Sequence, residues 1–272
     1  MKPAGVPSIS SSGRSDSRGS VRLPDFIIGG APRSGTTWLY WLLDRHPLIY
    51  MARPVSPEPK FFLVDDIYEK GLRFYSDTWF ASAGLDRLAG EKSTDYLEST
   101  AAAERIARDL PAVKLVFVLR EPADRAISNY LWTRMNGLET EDLETALRLE
   151  DDRERNLPER LKFARPFSYF SRGLYADLLT PYFDRFPREQ ILVLRFEDIV
   201  DAPKSVAERL HGFLGVTPRG GDGEDLGVIN PSDKSDMVDD MHRIRLQLLS
   251  RYSEPNRRLA AMLGSPFELW PT

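Results

Sequence analysis

The chain contains no cysteine. That excludes disulfides, thiolate metal ligation and a cysteine nucleophile, and it is compatible with a reducing compartment. No apolar run approaches the roughly 20 residues of a membrane span. The N-terminal residues lack the apolar core of a secretory leader, so the expectation is a cytoplasmic protein. A basic excess is missing too. The 37 Lys and Arg stand against 41 Asp and Glu, a net charge of −4, which argues against general affinity for nucleic acid while allowing a local basic pocket. There is no internal repeat of useful period and no linker that divides residues 21–272. With 272 residues, 42% hydrophobic and 29% charged, the chain fits one α/β domain whose core needs no staples.

Residues 1–20 are rich in Ser, Gly, Pro and Arg, the composition of a disordered tail. The organising stretch is residues 26–38. Phe26, Ile27 and Ile28 read as a short buried strand. Gly29, Gly30 and Pro32 punctuate a turn, and Thr36 and Thr37 open a helix that runs through Trp38 to Leu43. A strand, a glycine loop and a helix start aim several backbone N–H groups at one spot, which suits a phosphate. The spacing of Gly30 and Gly35 is that of a Walker A loop, but Thr36 stands where that loop has its Lys. Thr37 keeps the hydroxyl position, and Arg33 supplies the cation from inside the loop. Such a cradle is not built for a γ-phosphate with Mg²⁺.

Further along, Glu58 and Lys60 lie among Pro54, Pro57, Pro59 and the pair Phe61 and Phe62. In an extended segment they share a face, as a solvated loop pair or as working groups. His46, at a helix end before Pro47, reads as a capping group favoured by the helix dipole rather than as a base. The aromatics of residues 68–80 suit core packing or an acceptor pocket. Lys92 is a candidate cation or an exposed Lys with a snorkelling stem. Residues 114–120 form a near-continuous apolar run ending in Arg120, as in a parallel strand covered on both faces. Ligands bind at that end of such strands, and Glu121 and Pro122 then open a helix that carries Ser128.

Residues 135–166 are charge-dense and read as a charged lid or mobile insertion, without the spacing of a calcium loop. Residues 167–186 read as an amphipathic helix and 191–196 as a strand. Residues 217–236 read as a loop. Residues 237–263 read as helical, interrupted at 255–259, with a packing tail that ends at Trp270.

Ala31 to Trp38 resemble the 5′-phosphosulfate loop of sulfotransferases that use 3′-phosphoadenosine 5′-phosphosulfate (PAPS), with Arg33 where many members have Lys. The resemblance covers most of residues 21–270, and its motifs are closest to the glycan-sulfating branch. It implies a single P-loop-like α/β domain with a central parallel sheet and helices on both faces. It implies that Arg33, Ser34, Gly35, Thr36, Thr37 and Trp38 hold the 5′-phosphate end. Arg120 and Ser128 match the motif for the 3′-phosphate, and Phe196 matches a position that often sets an aromatic against the nucleotide.

The segment with Glu58, Pro59, Lys60, Phe61 and Phe62 is similar to the one whose Glu is the catalytic base. Glu91 to Tyr96 resemble the segment whose Lys, here Lys92, sits at the reaction centre, with Thr94 and Asp95 replacing a Pro-containing pair. The familiar basic and glycine pattern near residues 217–236 is absent; Arg219, Asn230 and Lys234 are substitutes between which the sequence does not choose. The implied activity is metal-independent sulfuryl transfer from PAPS to a hydroxyl, or secondarily an amine, of a small molecule, glycoside or glycan, in a bacterial protein. The rivals are a P-loop-like nucleotide kinase and a non-catalytic nucleotide-binding protein.

Overall fold

The computed structural model describes residues 21–223, 226, 239–265 and 267–270. The expected tail at 1–20, Asn230 and Lys234 lie outside the described residues. Strands β1 (Phe26–Gly30), β2 (Ile49–Met51), β3 (Leu88–Lys92), β4 (Lys114–Leu119) and β5 (Ile191–Arg195) form one sheet in the order β2-β3-β1-β4-β5. All four pairings are parallel. Every strand therefore ends at the same edge of the sheet, and the loops that leave those ends converge there.

The alternation of side chains along the strands explains why both faces are covered. Ile27, Leu115, Phe117 and Leu119 face one core. Phe26, Ile28, Val116 and Val118 face the other. The second core is closed by α1 (Thr36–Asp44) and, later in the chain, by Val206, Ala207 and Leu210. The first is closed by α2 (Asp65–Tyr68), α3 (Gly71–Trp79) and α4 (Thr100–Asp109), the last of these capped by Ser99 Oγ, which accepts from Ala102 N at 3.1 Å. Helix α5 (Pro122–Met135) follows β4, with Pro122 at its first position and the Glu121 carboxylate accepting from the N–H groups of Ala123 and Asp124.

Residues 135–166, read as a lid or mobile insertion, contain α6 (Leu143–Arg148), α7 (Glu150–Arg155) and α8 (Glu159–Lys162). Some of their acids are structural. Buried Glu139 accepts from Arg153 at 2.6 Å and Tyr169 at 2.7 Å, and buried Glu150 accepts from the N–H groups of Phe170 and Ser171. The helix expected over 167–186 is shorter. It is α9 (Tyr175–Phe183), preceded by a 3₁₀ turn at Ser171–Gly173 in which a side chain at Gly173 would meet the Tyr252 hydroxyl at 2.6 Å.

Helices α10 (Phe196–Asp201) and α11 (Pro203–Leu214) follow β5, and α12 (Asp239–Leu263) runs on through Pro255. The interruption expected at 255–259 is thus absent. Leu248, Tyr252, Leu259 and Leu263 are buried on both sides of the proline, and burying side chains of that size outweighs the ~3 kcal/mol an interior proline costs. Trp270 packs near Tyr175 and donates to Glu197 at 2.6 Å.

Two contacts fix β3 and bring Lys92 to the edge where the strands end. Gly90 lies opposite Phe26, and a Cβ there would come within 2.1 Å of the Phe26 ring. Next to it, fully buried Glu91 accepts from the hydroxyls of Tyr75 at 2.7 Å, Tyr96 at 3.0 Å and Ser93 at 3.0 Å. Burial pushes its carboxyl up to about 7, against those hydrogen bonds and with a small push from Glu58.

Gly90→Ala is expected to destabilise the fold by about 1–3 kcal/mol through overpacking, measured by urea denaturation. Glu91 gives a pH dependence of definite sign. Its folded value lies above its unfolded one, so between pH ~4.5 and ~7 the native state holds a proton that the unfolded state has lost, and stability falls as pH rises through that window. Wild type is expected to lose up to about 3 kcal/mol relative to Glu91→Gln between pH 5 and pH 8. A constant difference across that range would mean Glu91 does not titrate there.

Candidate functional site

At the C-terminal edge of the sheet, β1 leads into a loop that reaches α1 through Gly35. Gly35 has φ 85°, and a Cβ there would meet Phe196 Cδ2 at 2.9 Å. Glycine serves both the left-handed turn and the close approach. No side chain caps α1, so its first N–H groups, which have no intrahelical acceptors, face the loop. Trp38 is placed differently from the expectation. Its N–H is already donated to Gly35 O at 2.9 Å and its ring is buried in the core beneath the helix. Ser34 is fully buried, with its hydroxyl on Pro32 O at 3.4 Å.

Arg33 joins two groups of residues. Its Nε donates to Ser128 Oγ at 3.3 Å, and its carbonyl accepts from Arg120 Nη1 at 3.2 Å. Arg120 is held at the end of β4 by its own carbonyl, which takes the Tyr175 hydroxyl at 2.8 Å, and its guanidinium lies 4.8 Å over the Phe196 ring. Phe196 is therefore a shelf beneath Arg120 and against Gly35.

The nearby acids are engaged elsewhere. Asp124 pairs with Arg245 at 2.7 Å, and Glu197 accepts from Trp270 and from Glu121 N. Arg33 is lowered from its ordinary value by burial first, then by the Arg120 and Arg125 charges; Arg120 is lowered chiefly by burial. Arg125, which sequence reasoning missed, is fully buried. It donates to Tyr169 O, while its Nε and Nη1 have no hydrogen-bond partner among the described residues. Its signal in the sequence was a cation on the inward face of α5. Half-buried Arg33 and buried Arg120, within the field of buried Arg125, fit anionic phosphate, whose oxygens accept forked hydrogen bonds.

On the other side of Arg33 lies a cavity of about 620 Å³. Arg33, Thr36, Thr37, Glu58 and Lys92 all line it. Glu58 is largely buried and ion-paired to Lys92 Nζ, and it accepts from Thr94 N at 2.9 Å and from Thr94 Oγ1. Three donors fix the carboxylate and leave it acceptor capacity toward the cavity. Thr94 N could not donate if this position were proline, so the departure from the Pro-containing pair is what orients Glu58 here.

Lys60 pairs with Asp95 instead. His46 takes no part in this cavity: its ring bonds Thr217 O at 3.1 Å and accepts from Leu48 N, beyond the far end of α1. Arg219 likewise donates to Arg45 O at 3.0 Å, a helix length from the loop. The aromatics of 68–80 are mostly core: Tyr75 stacks on Phe61 at 4.3 Å and both are buried. The aromatics that line the cavity, Trp132 and Phe167, come from α5 and from just after the charged segment. They were missed because neither belongs to a motif and their apolar neighbours give them the look of core packing.

Comparison with known proteins identifies the family. The family model described as "Sulfotransferase domain" matches residues 23–226. The mouse heparan sulfate glucosamine 3-O-sulfotransferase 3B1 is 33% identical over 198 residues, 73% of this chain and 47% of that protein. The human bifunctional heparan sulfate N-deacetylase/N-sulfotransferase 2 is 31% identical over 214 residues, 72% of this chain and 22% of that protein. The chain thus spans less than half the length of these relatives. A crystal structure of a sulfotransferase from Alicyclobacillus acidocaldarius superposes with a TM-score of 0.72 at 28% identity, over 89% of this chain and 96% of that one. With the family match spanning most of the chain, the protein belongs to the sulfotransferase family.

Proposed function

We propose that this chain transfers the sulfuryl group of PAPS to an acceptor hydroxyl, with Glu58 as general base and without a metal. The observation that carries this reading is the Glu58–Lys92 pair in the same cavity as Arg33 and the uncapped start of α1. When bound, PAPS supplies the activated sulfuryl group. Arg33 and the N–H groups of Ser34, Gly35, Thr36 and Thr37 would hold its 5′-phosphate and stabilise the negative charge that develops there. Arg120 and Ser128 would take the 3′-phosphate, which separates this nucleotide from ATP. Phe196 supports Arg120 from below.

Lys92 has two anionic partners to choose between, Glu58 and the transferring group, and so holds the carboxylate in position until the acceptor arrives. An amine acceptor would need to lose a proton in the same way. A kinase reading is weaker because Thr36 occupies the position of the Walker Lys and because the cavity's carboxylates, Glu58 and Asp95, are already ion-paired to lysines. Cytoplasmic location and a bacterial source are further parts of this proposal, supported by composition alone.

In calorimetric titration with EDTA present, the protein is expected to bind adenosine 3′,5′-bisphosphate in preference to AMP and ATP. Arg120→Ala is expected to weaken that binding about 10–100-fold, from loss of a charge-assisted contact of about 1.5–3 kcal/mol. Equal affinity for all three nucleotides, or binding of ATP only with Mg²⁺, would overturn the donor assignment. Glu58→Gln is expected to lower turnover by about 10²–10⁴-fold while changing bisphosphate affinity less than about threefold, because the carboxylate touches the acceptor side. Loss of nucleotide binding in that variant would make Glu58 structural.

A further inference from the structure

We infer that the acceptor is an uncharged alcohol or phenol with an apolar body, and not an anionic glycan; this rests on the sulfuryl-transfer reading above. The first observation is how charge is distributed. Apart from Arg33, on the donor side, the cavity's cations are Lys60, Lys92 and Arg172. Each is paired inside the protein: Lys92 with Glu58, Lys60 with Asp95, and Arg172 with Glu98 at 2.9 Å and Asp95 at 3.6 Å. Among the described residues, an anionic acceptor meets no uncompensated cation there beyond Arg33. To recruit one it must displace an internal carboxylate and leave that carboxylate buried and unpaired.

The second observation is the wall. Val55, Pro57, Trp132, Leu138, Leu161 and Phe167 supply its apolar part, facing the paired charges and hydroxyls of the remaining lining, and a concave site of about 620 Å³ with apolar wall and convergent polar groups suits a small molecule.

The third is the rim. Trp132, Met135, Leu138 and Phe163 are 38%, 78%, 47% and 40% exposed. Trp132 and Leu138 line the cavity while staying partly exposed, Met135 lies between them in sequence, and Phe163 sits 5.1 Å beneath the ammonium of cavity-lining Lys60. Single exposed apolar residues are ordinary, but a group at one opening marks a place where apolar surface is covered by a ligand. The fourth is the charged segment. Residues 135–166 carry nine acidic and six basic side chains, and their cations Arg153, Arg155, Lys162 and Arg165 are paired with acids of the same segment, so the segment offers a polyanion no excess of positive charge.

In the step itself, the acceptor oxygen forms the new S–O bond as the S–O bond to the 5′-phosphate breaks. The electron pair stays on the phosphate oxygen, and the hydroxyl proton passes to Glu58. The products are a sulfate monoester and adenosine 3′,5′-bisphosphate.

The test uses the full chain. Calorimetry with adenosine 3′,5′-bisphosphate first establishes the donor site; without binding, the donor reading fails and this inference fails with it. With binding established, PAPS turnover is compared for 2-naphthol, 1-octanol, glycerol and a heparan sulfate hexasaccharide. The expected result is a kcat/KM for 2-naphthol or 1-octanol at least about tenfold above that for glycerol and for the hexasaccharide. Trp132→Ala and Phe167→Ala are each expected to raise KM for the preferred acceptor about tenfold, from loss of buried aromatic surface, with bisphosphate affinity unchanged. Equal or better use of the hexasaccharide or glycerol overturns the inference while leaving the donor site standing. So does absence of turnover with both apolar acceptors in a protein that binds the bisphosphate, including the case where the apolar rim serves only to bind phosphatidylcholine vesicles in a flotation assay.

Discussion

A carboxylate and an ammonium taken almost wholly out of water, Glu58 and Lys92, form the contact on which the site depends. Such a pair is a poor source of stability, because desolvating two ions offsets most of their attraction, while removing either partner alone is costly. Its use lies in placement. Lys92 ends β3 beside the central strand, and Glu58 sits on a proline-braced segment that must be drawn across the sheet edge to meet it. Thr94 adds an N–H and a hydroxyl to the same carboxylate. The segment is held further along by Lys60 N on Ser93 Oγ at 2.9 Å and by Phe62 N on the Tyr96 hydroxyl at 3.2 Å. Buried Glu91, the acceptor for both Ser93 and Tyr96, anchors those contacts from below. The charged pair is thus the upper end of a hydrogen-bond chain rooted in the core.

The strands that could be read from the sequence, β1, β4 and β5, are those whose residues are apolar on both faces, because two helical layers cover them. Strand β2 has three residues, and β3 contains Gly90, Glu91 and Lys92, so neither shows a strand's pattern. What makes β3 a strand is tertiary: Gly90 admits the Phe26 ring, and Glu91 finds three hydroxyl donors. The glycine loop, Arg120 and Ser128, which the structure brings together through Arg33, stood out in the sequence because a strand end and a helix start fix their spacing. Trp38 shows the limit of carrying a whole motif forward. It belongs to the stretch, but packs the helix rather than lining the cradle. Helix α12 shows a local signal, Pro255, overridden by the burial of its flanking turns.

The charged segment at 135–166 could not be read for a different reason. Its composition describes the outer surface, whereas its role in the site comes from the few residues that break that composition. Leu138 and Leu161 point to the cavity, and Phe167 follows just after the segment. Glu139 and Glu150, indistinguishable in sequence from the solvated acids around them, are buried anchors that fix this cover onto Tyr169 and the backbone of Phe170 and Ser171.

The two sides of Arg33 then differ in one physical respect. Toward Ser128 and Arg120, positive charge accumulates with its acids engaged elsewhere, and burial together with the resulting repulsion lowers the Arg33 guanidinium. In the proposed reaction an arriving phosphate would offset that repulsion, so binding energy would be available on that side before any acceptor contact is made. Toward Trp132 and Phe167, each lining cation already has its carboxylate, and an incoming molecule gains mainly by covering apolar surface. An accumulation of cations and an apolar wall therefore meet at Arg33, which lines the same cavity as the Glu58 carboxylate.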